Sequence, residues 1–248
     1  MQVLGIDVGG SGIKGALVDS ETGELTSERI RLKTPPGFEI DKVTNTIKRL
    51  IGRFDFDGPV GVGFPAAVAQ GIVLTAPTAH HVPGWLGQAV DQRFSEAAGR
   101  DVKVLNDADA AGLAEVRFGA GKAIDGVVIT VTLGTGVGAG LFMDGKLVPN
   151  LEVGKLYLAG HKNVVEQYMA GRIKKEQGLK WKEYAERMKE FCLHVEHIFS
   201  PSLIIIGGGV SKKHKKFLPD GKLKRTRVVP ASMQNEAGIV GAALWAVG

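Results

Sequence analysis

Cysteine occurs once in the 248 residues, at position 192. A single thiol excludes an intrachain disulfide framework and any zinc site built from several cysteines, so no structural zinc is expected. Cys192 reads as a core residue in a helix. Long apolar runs are also missing, since none approaches the ~18 residues that a membrane span needs. Met1 leads straight into Val3-Leu4-Gly5-Ile6 without a basic, apolar and small-residue leader pattern, and a cytoplasmic protein with no membrane partner is expected. Neither charge sign dominates: 31 Lys+Arg face 26 Asp+Glu, with 44% hydrophobic and 23% charged residues. That balance belongs to a folded chain of one or two domains rather than a disordered one. What is abundant is glycine, at 35 residues, about twice the usual ~7% share, which demands many tight turns or close backbone approaches.

The positive charge is unevenly spread. Residues 1–150 hold 14 basic and 17 acidic side chains (−3), whereas residues 151–227 hold 17 basic and 8 acidic (+9). A field confined to the second half points to an anionic partner there, against the commoner alternative of a solvated Lys-rich surface.

Strands and helices alternate along the chain. Gln2–Val8 and Ile13–Asp19 are joined by Gly9-Gly10-Ser11-Gly12, and Glu24–Leu32 alternates after Glu21-Thr22-Gly23, so a three-stranded antiparallel meander is expected. Val43, Ile47, Leu50 and Ile51 fall at helical spacing within Asp41–Phe54. Pro59–Phe64 and Gly71–Thr75 read as strands, Trp85–Ala98 as a helix, Asp101–Leu105 as a strand and Ala108–Phe118 as a helix. The second half repeats the opening: Gly126–Leu133, then Gly134-Thr135-Gly136-Val137-Gly138, then Ala139–Met143, with Asp144-Gly145 as a hairpin signal before Lys146–Val148. Helices over about 162–177 and 181–199 lead to a strand at Leu203–Ile206, a third glycine turn at 207–209, a short helix from Ser211 and a last helix from Asn235 to Ala246.

Three features carry chemistry. Consecutive glycines expose backbone N–H groups that can cradle phosphate oxygens, although one such turn alone is usually only a hairpin. Lys14, two residues past the first turn, adds charge there or faces solvent. Asp7 ends the first strand, a costly place for a carboxylate unless it is hydrogen-bonded or near a metal. Asn106-Asp107 stands where a strand stops and a helix begins; helix capping accounts for one of the two residues. Both together suit a polyol substrate, the amide fixing hydroxyls and the carboxylate accepting a hydroxyl proton as the oxygen attacks phosphorus. Glu152 is a second candidate sugar ligand, with a surface residue as the alternative.

Ile6-Asp7-Val8-Gly9-Gly10-Ser11, Leu105-Asn106-Asp107-Ala108-Asp109-Ala110-Ala111, Leu133 to Gly138 and Ile206 to Ser211 resemble, in order and spacing, the sugar-kinase motifs of the ROK family. Within it, Asn106 to Phe118, Phe199-Ser200-Pro201, Gly207 to Lys213 and Gln234 to Leu244 are most similar to polyphosphate glucokinases. The resemblance implies the α/β actin-like ATPase and hexokinase (ribonuclease H-like) fold, with two domains flanking a cleft. One would be residues 1–107 plus the C-terminal helix 235–248, binding phosphate and sugar; the other, 108–234, would hold the donor. It further implies Asp107 as general base toward the sugar 6-hydroxyl, Asn106 and Glu152 as sugar ligands, and the turns Gly9, Gly10, Ser11, Gly12 and Gly134, Thr135, Gly136 as holders of the transferred phosphate. Asp7 would act near Mg²⁺, through water, and a homodimer is implied.

Three departures bear on the sugar. Glu152-Val153-Gly154-Lys155 stands where the family has Glu-x-Gly-His, replacing an imidazole by a donor-only cation. Ala66 replaces the glycine of the usual Pro-Gly, and Tyr157 stands where polyphosphate glucokinases often carry a second Glu. The resemblance implies glucose as the acceptor, and these departures weaken glucose relative to mannose, another hexose such as fructose, or a cyclitol such as inositol.

ROK repressors carry a helix-turn-helix domain before the first phosphate strand, whereas here only Met1 and Gln2 precede that strand's apolar run, so a repressor is not expected. A catalytically silent sugar sensor would have no need of Asp107 beside Asn106. The donor is expected to be, or to include, inorganic polyphosphate, with ATP as the other candidate. Following Gly207, Gly208 and Gly209, residues 212–227 hold Lys212, Lys213, Lys215, Lys216, Lys222, Lys224, Arg225 and Arg227 against Asp220 alone. Phe217 is the one Phe, Tyr or Trp among these cations, so the aromatic interleaving of a nucleic-acid site is missing and a phosphate polymer is a simpler anion.

Overall fold

Alternate glycines in Val60-Gly61-Val62-Gly63-Phe64 decide how the first sheet is covered. In a strand successive side chains point to opposite faces. Val60, Val62 and Phe64 enter an apolar core, while the glycine face admits a helix at backbone distance. The computed structural model describes residues 1–77, 82–219 and 223–248, and over these the chain divides into two compact units, Met1–Ala114 with Asn235–Gly248, and Glu115–Gln234. The division falls after Ala114 rather than after Asp107, within a helix that runs on unbroken to Arg117.

In the first unit β1 (Gln2–Val8), β2 (Ile13–Asp19) and β3 (Ile30–Leu32) form the antiparallel meander, followed by α1 (Ile40–Ile51), β4 (Val60–Phe64), a small hairpin of β5 (Val68–Ala69) and β6 (Ile72–Val73), α2 (Val90–Ala98), β7 (Val102–Asn106) and α3 (Asp107–Arg117). The sheet order is β3-β2-β1-β4-β7, with β1, β4 and β7 parallel.

Four elements are shorter than their sequence patterns predict. The expected strand Glu24–Leu32 is continuous only over Ile30–Leu32, with a single bridge from Leu25 to Val18 before it, because the Ser27 hydroxyl takes the Leu17 N–H that a ladder carbonyl would otherwise accept (2.9 Å). Helix α1 stops at Ile51, with Gly52 as its cap. Only Ile72 and Val73 of Gly71–Thr75 are paired. Trp85 lies in the separate 3-10 turn Pro83–Trp85: its indole N–H donates to the Phe38 carbonyl (2.8 Å), and its ring packs among Phe38, Phe64 and Phe94. That burial outweighs the helical pattern, and α2 starts only at Val90.

In the second unit β8 (Val127–Leu133), β9 (Val137–Met143) and β10 (Lys146–Val148) repeat the meander, and β11 (Leu203–Gly207) and β12 (Arg227–Pro230) complete a sheet of order β10-β9-β8-β11-β12. Helices α4 (Val165–Met169), α5 (Gly171–Glu176) and α6 (Trp181–Phe199) cover it. The single helix expected over 162–177 is two, because Ala170 is extended (ψ 151°). Cys192 is buried in α6, and burial pushes its thiol up to about 12.

The chain then returns to the first unit as α7 (Ala237–Val247). Its backbone lies directly on the glycine face of the sheet and on α3: a Cβ at Gly5 would come within 2.0 Å of the Ile239 carbonyl oxygen, one at Gly61 within 1.7 Å of that of Ala242, and one at Gly241 within 1.6 Å of that of Ala110 in α3. Gly61→Ala should therefore destabilise the protein by about 3 kcal/mol, the upper range for overpacking, because rigid backbone rather than a side-chain tip must give way. Urea unfolding measures it; a loss below about 1 kcal/mol would mean that α7 moves freely.

Candidate active site

Strand alternation puts Asp7 on the same face of β1 as Gly5, the face that receives α7. Position 238 is glycine, and a Cβ there would stand 3.3 Å from the Asp7 carboxyl carbon. Asp7 lies opposite Lys14 across β1 and β2, and Lys14 Nζ donates to Asp7 Oδ2 at 3.2 Å. The turn between them is closed by the Gly9 N–H on the Gly12 carbonyl (3.1 Å) and by Thr34 Oγ1 donating to the Gly9 carbonyl (2.6 Å).

Asp7 is in register with Gly63, and Gly63 with Leu105. Asp7 and the Asn106-Asp107 pair thus share the carboxyl edge of three parallel strands, two interstrand spacings or about 10 Å apart. Ligands of open α/β sheets bind at that edge. Asn106 is buried, and its side chain is largely committed: Oδ1 accepts from the N–H groups of Ala108 (2.9 Å) and Asp109 (3.1 Å), and Nδ2 donates to the Ala66 carbonyl (3.1 Å). Asn106 therefore both caps α3 and braces the loop at Ala66, and it keeps one amide hydrogen for a ligand. Asp107 opens α3, where the helix dipole favours the carboxylate.

The second unit gathers another set. The turn after β8 is closed by the Gly134 N–H on the Gly136 carbonyl (3.0 Å). Parallel pairing of Gly207 with Thr132 brings the third glycine turn beside it. Gly208 adopts φ +81°, and a Cβ there would lie 2.4 Å from the Leu133 carbonyl oxygen, so both conformation and space require glycine. Glu152 precedes the 3-10 turn Val153–Lys155. It keeps an exposed surface, yet surrounding protein desolvates its carboxyl and raises it, with Lys155 opposing that shift and Glu166 adding to it.

Glu166 has no signal in the sequence, standing alone in Val164-Val165-Glu166-Gln167. Folding brings it to the site from α4: Oε2 accepts the Val137 N–H at 3.2 Å, and Oε1 lies 3.8 Å from Lys155 Nζ. Tyr157 is 61% exposed.

The glycine turn 207–209 continues into the 3-10 run Gly209–Lys216 in place of the expected helix from Ser211. Lys212, Lys213, Lys215 and Lys216 are exposed on it. Lys216 Nζ lies 5.8 Å and Lys174 Nζ 4.1 Å from the Trp181 ring centroid, so α5 adds a cation that the sequence reading missed. Arg225 belongs elsewhere: its guanidinium donates to the Glu196 carbonyl (2.8 Å) and to Ser200 Oγ (2.9 Å). Burial of Glu196 alone would raise its carboxyl, but the N–H groups of Arg225 and Thr226 outweigh that and hold it below its usual range. Asp220 and Lys222 lie outside the described residues.

Two sheets of one strand order, each opened by a glycine turn between antiparallel strands, define a kinase of the actin-like ATPase fold. Residues 3–167 match the ROK family. The polyphosphate glucokinase of Mycobacterium tuberculosis (strain CDC 1551 / Oshkosh) is 43% identical over 98% of this chain and 91% of its own. The crystal structure of inorganic polyphosphate/ATP-glucomannokinase from Arthrobacter sp. strain KM matches with TM-score 0.89 at 41% identity, over 98% of this chain and 97% of that one. A ROK family glucokinase from Streptomyces griseus, solved with glucose and AMPPNP, matches with TM-score 0.79 at 25% identity, covering 98% of both chains. The chain belongs to the ROK family and is a kinase. Among the described residues, no helix is long and apolar enough to cross a membrane.

Proposed function

We propose that this protein transfers a phosphoryl group from inorganic polyphosphate or ATP to the 6-hydroxyl of glucose, as a cytoplasmic homodimer. The names of its relatives support the reaction; within the chain, the observation that carries it is the Asn106-Asp107 pair on the same strand edge as Asp7, Lys14 and the first glycine turn. Asp107 accepts the hydroxyl proton as the sugar oxygen attacks phosphorus, and Asn106 orients that hydroxyl with its remaining amide hydrogen. Glu152 and Glu166 accept hydrogen bonds from the other sugar hydroxyls. N–H groups of the turns at Gly9 to Gly12 and Gly134 to Gly136, with Lys14, hold the transferred phosphate, and Gly207 to Gly209 with the lysines after it hold the donor.

Asp7 suits a magnesium ion as a hard oxygen donor beside the first glycine turn, with Lys14 held on its Oδ2. When bound, Mg²⁺ supplies charge neutralisation at the phosphates.

A coupled assay for hexose 6-phosphate with each donor tests the reading, using glucose, mannose, fructose and inositol. Product from neither donor would end it. The Lys155–Glu166 pair bears on the acceptor. Lys155→His should change the ranking of sugars by kcat/KM while leaving the donor KM within about twofold, since unpaired pocket groups decide discrimination. An unchanged ranking would place Lys155 outside the sugar pocket.

A further inference from the structure

Each of the two glycine turns carries an arginine that came from elsewhere in the chain. In the first unit Arg31, on β3, donates from its terminal guanidinium nitrogen to the Ser11 carbonyl at 2.7 Å and reaches Ser11 Oγ at 3.4 Å. Its guanidinium lies flat against the turn: a Cβ at Gly12 would come within 2.3 Å of Arg31 Nε. In the second unit Arg172, on α5, donates from Nε to the Thr135 carbonyl at 2.7 Å, while its backbone N–H donates to the Gly134 carbonyl at 3.1 Å. Ser11 and Thr135 occupy matching places, each the non-glycine residue inside a turn that joins the first two strands of its sheet. Neither arginine is near its turn in sequence, and β3 and α5 are unrelated elements. The same contact has been built twice from different parts.

The chemistry of an anion-holding turn explains why. Its N–H groups attract phosphate oxygens, but its carbonyls repel them. A guanidinium on the carbonyl neutralises the repelling group, adds positive charge beside the turn, which Arg172 shares with Glu176 at 3.4 Å, and leaves other N–H groups of its five-donor fork for the anion. Lysine supplies a charge without the planar fork.

We propose that Arg31 and Arg172 are positioning residues that hold the two turns in their anion-binding form, a role that rests on the phosphoryl-transfer reading above. Arg31→Met and Arg172→Met should each lower kcat with glucose and polyphosphate about 10-fold, the low end for a hydrogen bond from a charged donor, while the glucose KM stays within about twofold. Arg→Lys at either position should recover part of that loss through its charge.

Amide hydrogen exchange supplies a readout that does not depend on turnover. Each Met variant should speed exchange about 10-fold in the peptide that spans its own turn, residues 9–12 or 134–136, and leave the other turn unchanged. Unaltered exchange at the turn overturns the proposal, as does an unaltered kcat in an active enzyme. A general rise in exchange with a lowered Tm shows a structural role only and also overturns it. If the parent makes no hexose phosphate from either donor yet the Met variants loosen only their own turns, the kinase reading falls and the arginine clamps stand.

Discussion

Asp107→Asn should lower kcat at least ~100-fold, since general-base catalysis typically supplies 10² to 10⁴. The substitution keeps the shape of the side chain at the first position of α3 but replaces the basic carboxylate by an amide that cannot take the sugar proton. Ala108 and Asp109 are capped by Asn106 Oδ1 rather than by Asp107, so the helix start survives. Glucose KM should change far less than kcat, because binding rests on Asn106, Glu152 and Glu166 as well. Steady-state kinetics with both donors, alongside circular dichroism to confirm folding, measures the effect. Near-normal turnover in folded Asp107→Asn protein would remove Asp107 from the mechanism.

Replacing Lys212, Lys213, Lys215 and Lys216 together with Ala should raise the KM for long-chain polyphosphate at least ~10-fold and that for ATP less than about threefold. A polyanion binds by releasing counterions, and each lost contact removes ~0.7–0.9 from the slope of log affinity against log salt. The four-fold variant should therefore flatten that slope by about 3, while the weaker salt response of ATP stays as it was. All four side chains are exposed on one 3-10 run, so the fold should tolerate the change. Equal effects on both donors, or no polyphosphate activity in the parent, would leave an ATP-dependent sugar kinase. Arg225 is left out of the variant because it ties the end of α6 to the following loop.

Local patterns determined much of this protein. Short, largely apolar runs at Gln2–Val8 and Ile13–Asp19, with a glycine turn between them, mark an antiparallel pair, and their recurrence at Val127 marks the repeated half. Helix α7 was equally legible, as an almost wholly apolar segment. The motif residues Asp7, Asn106 and Asp107 stood out because a carboxylate or amide at the end of an apolar strand is costly without a purpose. These readings need only neighbours in sequence.

Tertiary structure decided the rest, wherever a contact joins distant segments. The alternation of valine and glycine in β4 marks a buried strand, but only the approach of α7 and α3 shows what the glycines admit. Trp85 fits a helical pattern, yet the Phe38 carbonyl and three phenylalanine rings hold it in a separate turn. The charge of Arg225 belongs to a basic strip in sequence and to Ser200 and the Glu196 carbonyl in space. Glu166, Arg31 and Arg172 look like ordinary surface charges until folding sets them on Val137, Ser11 and Thr135. Periodicity records which face of an element is apolar, whereas a hydrogen bond between residues twenty or more apart leaves no trace in either local pattern.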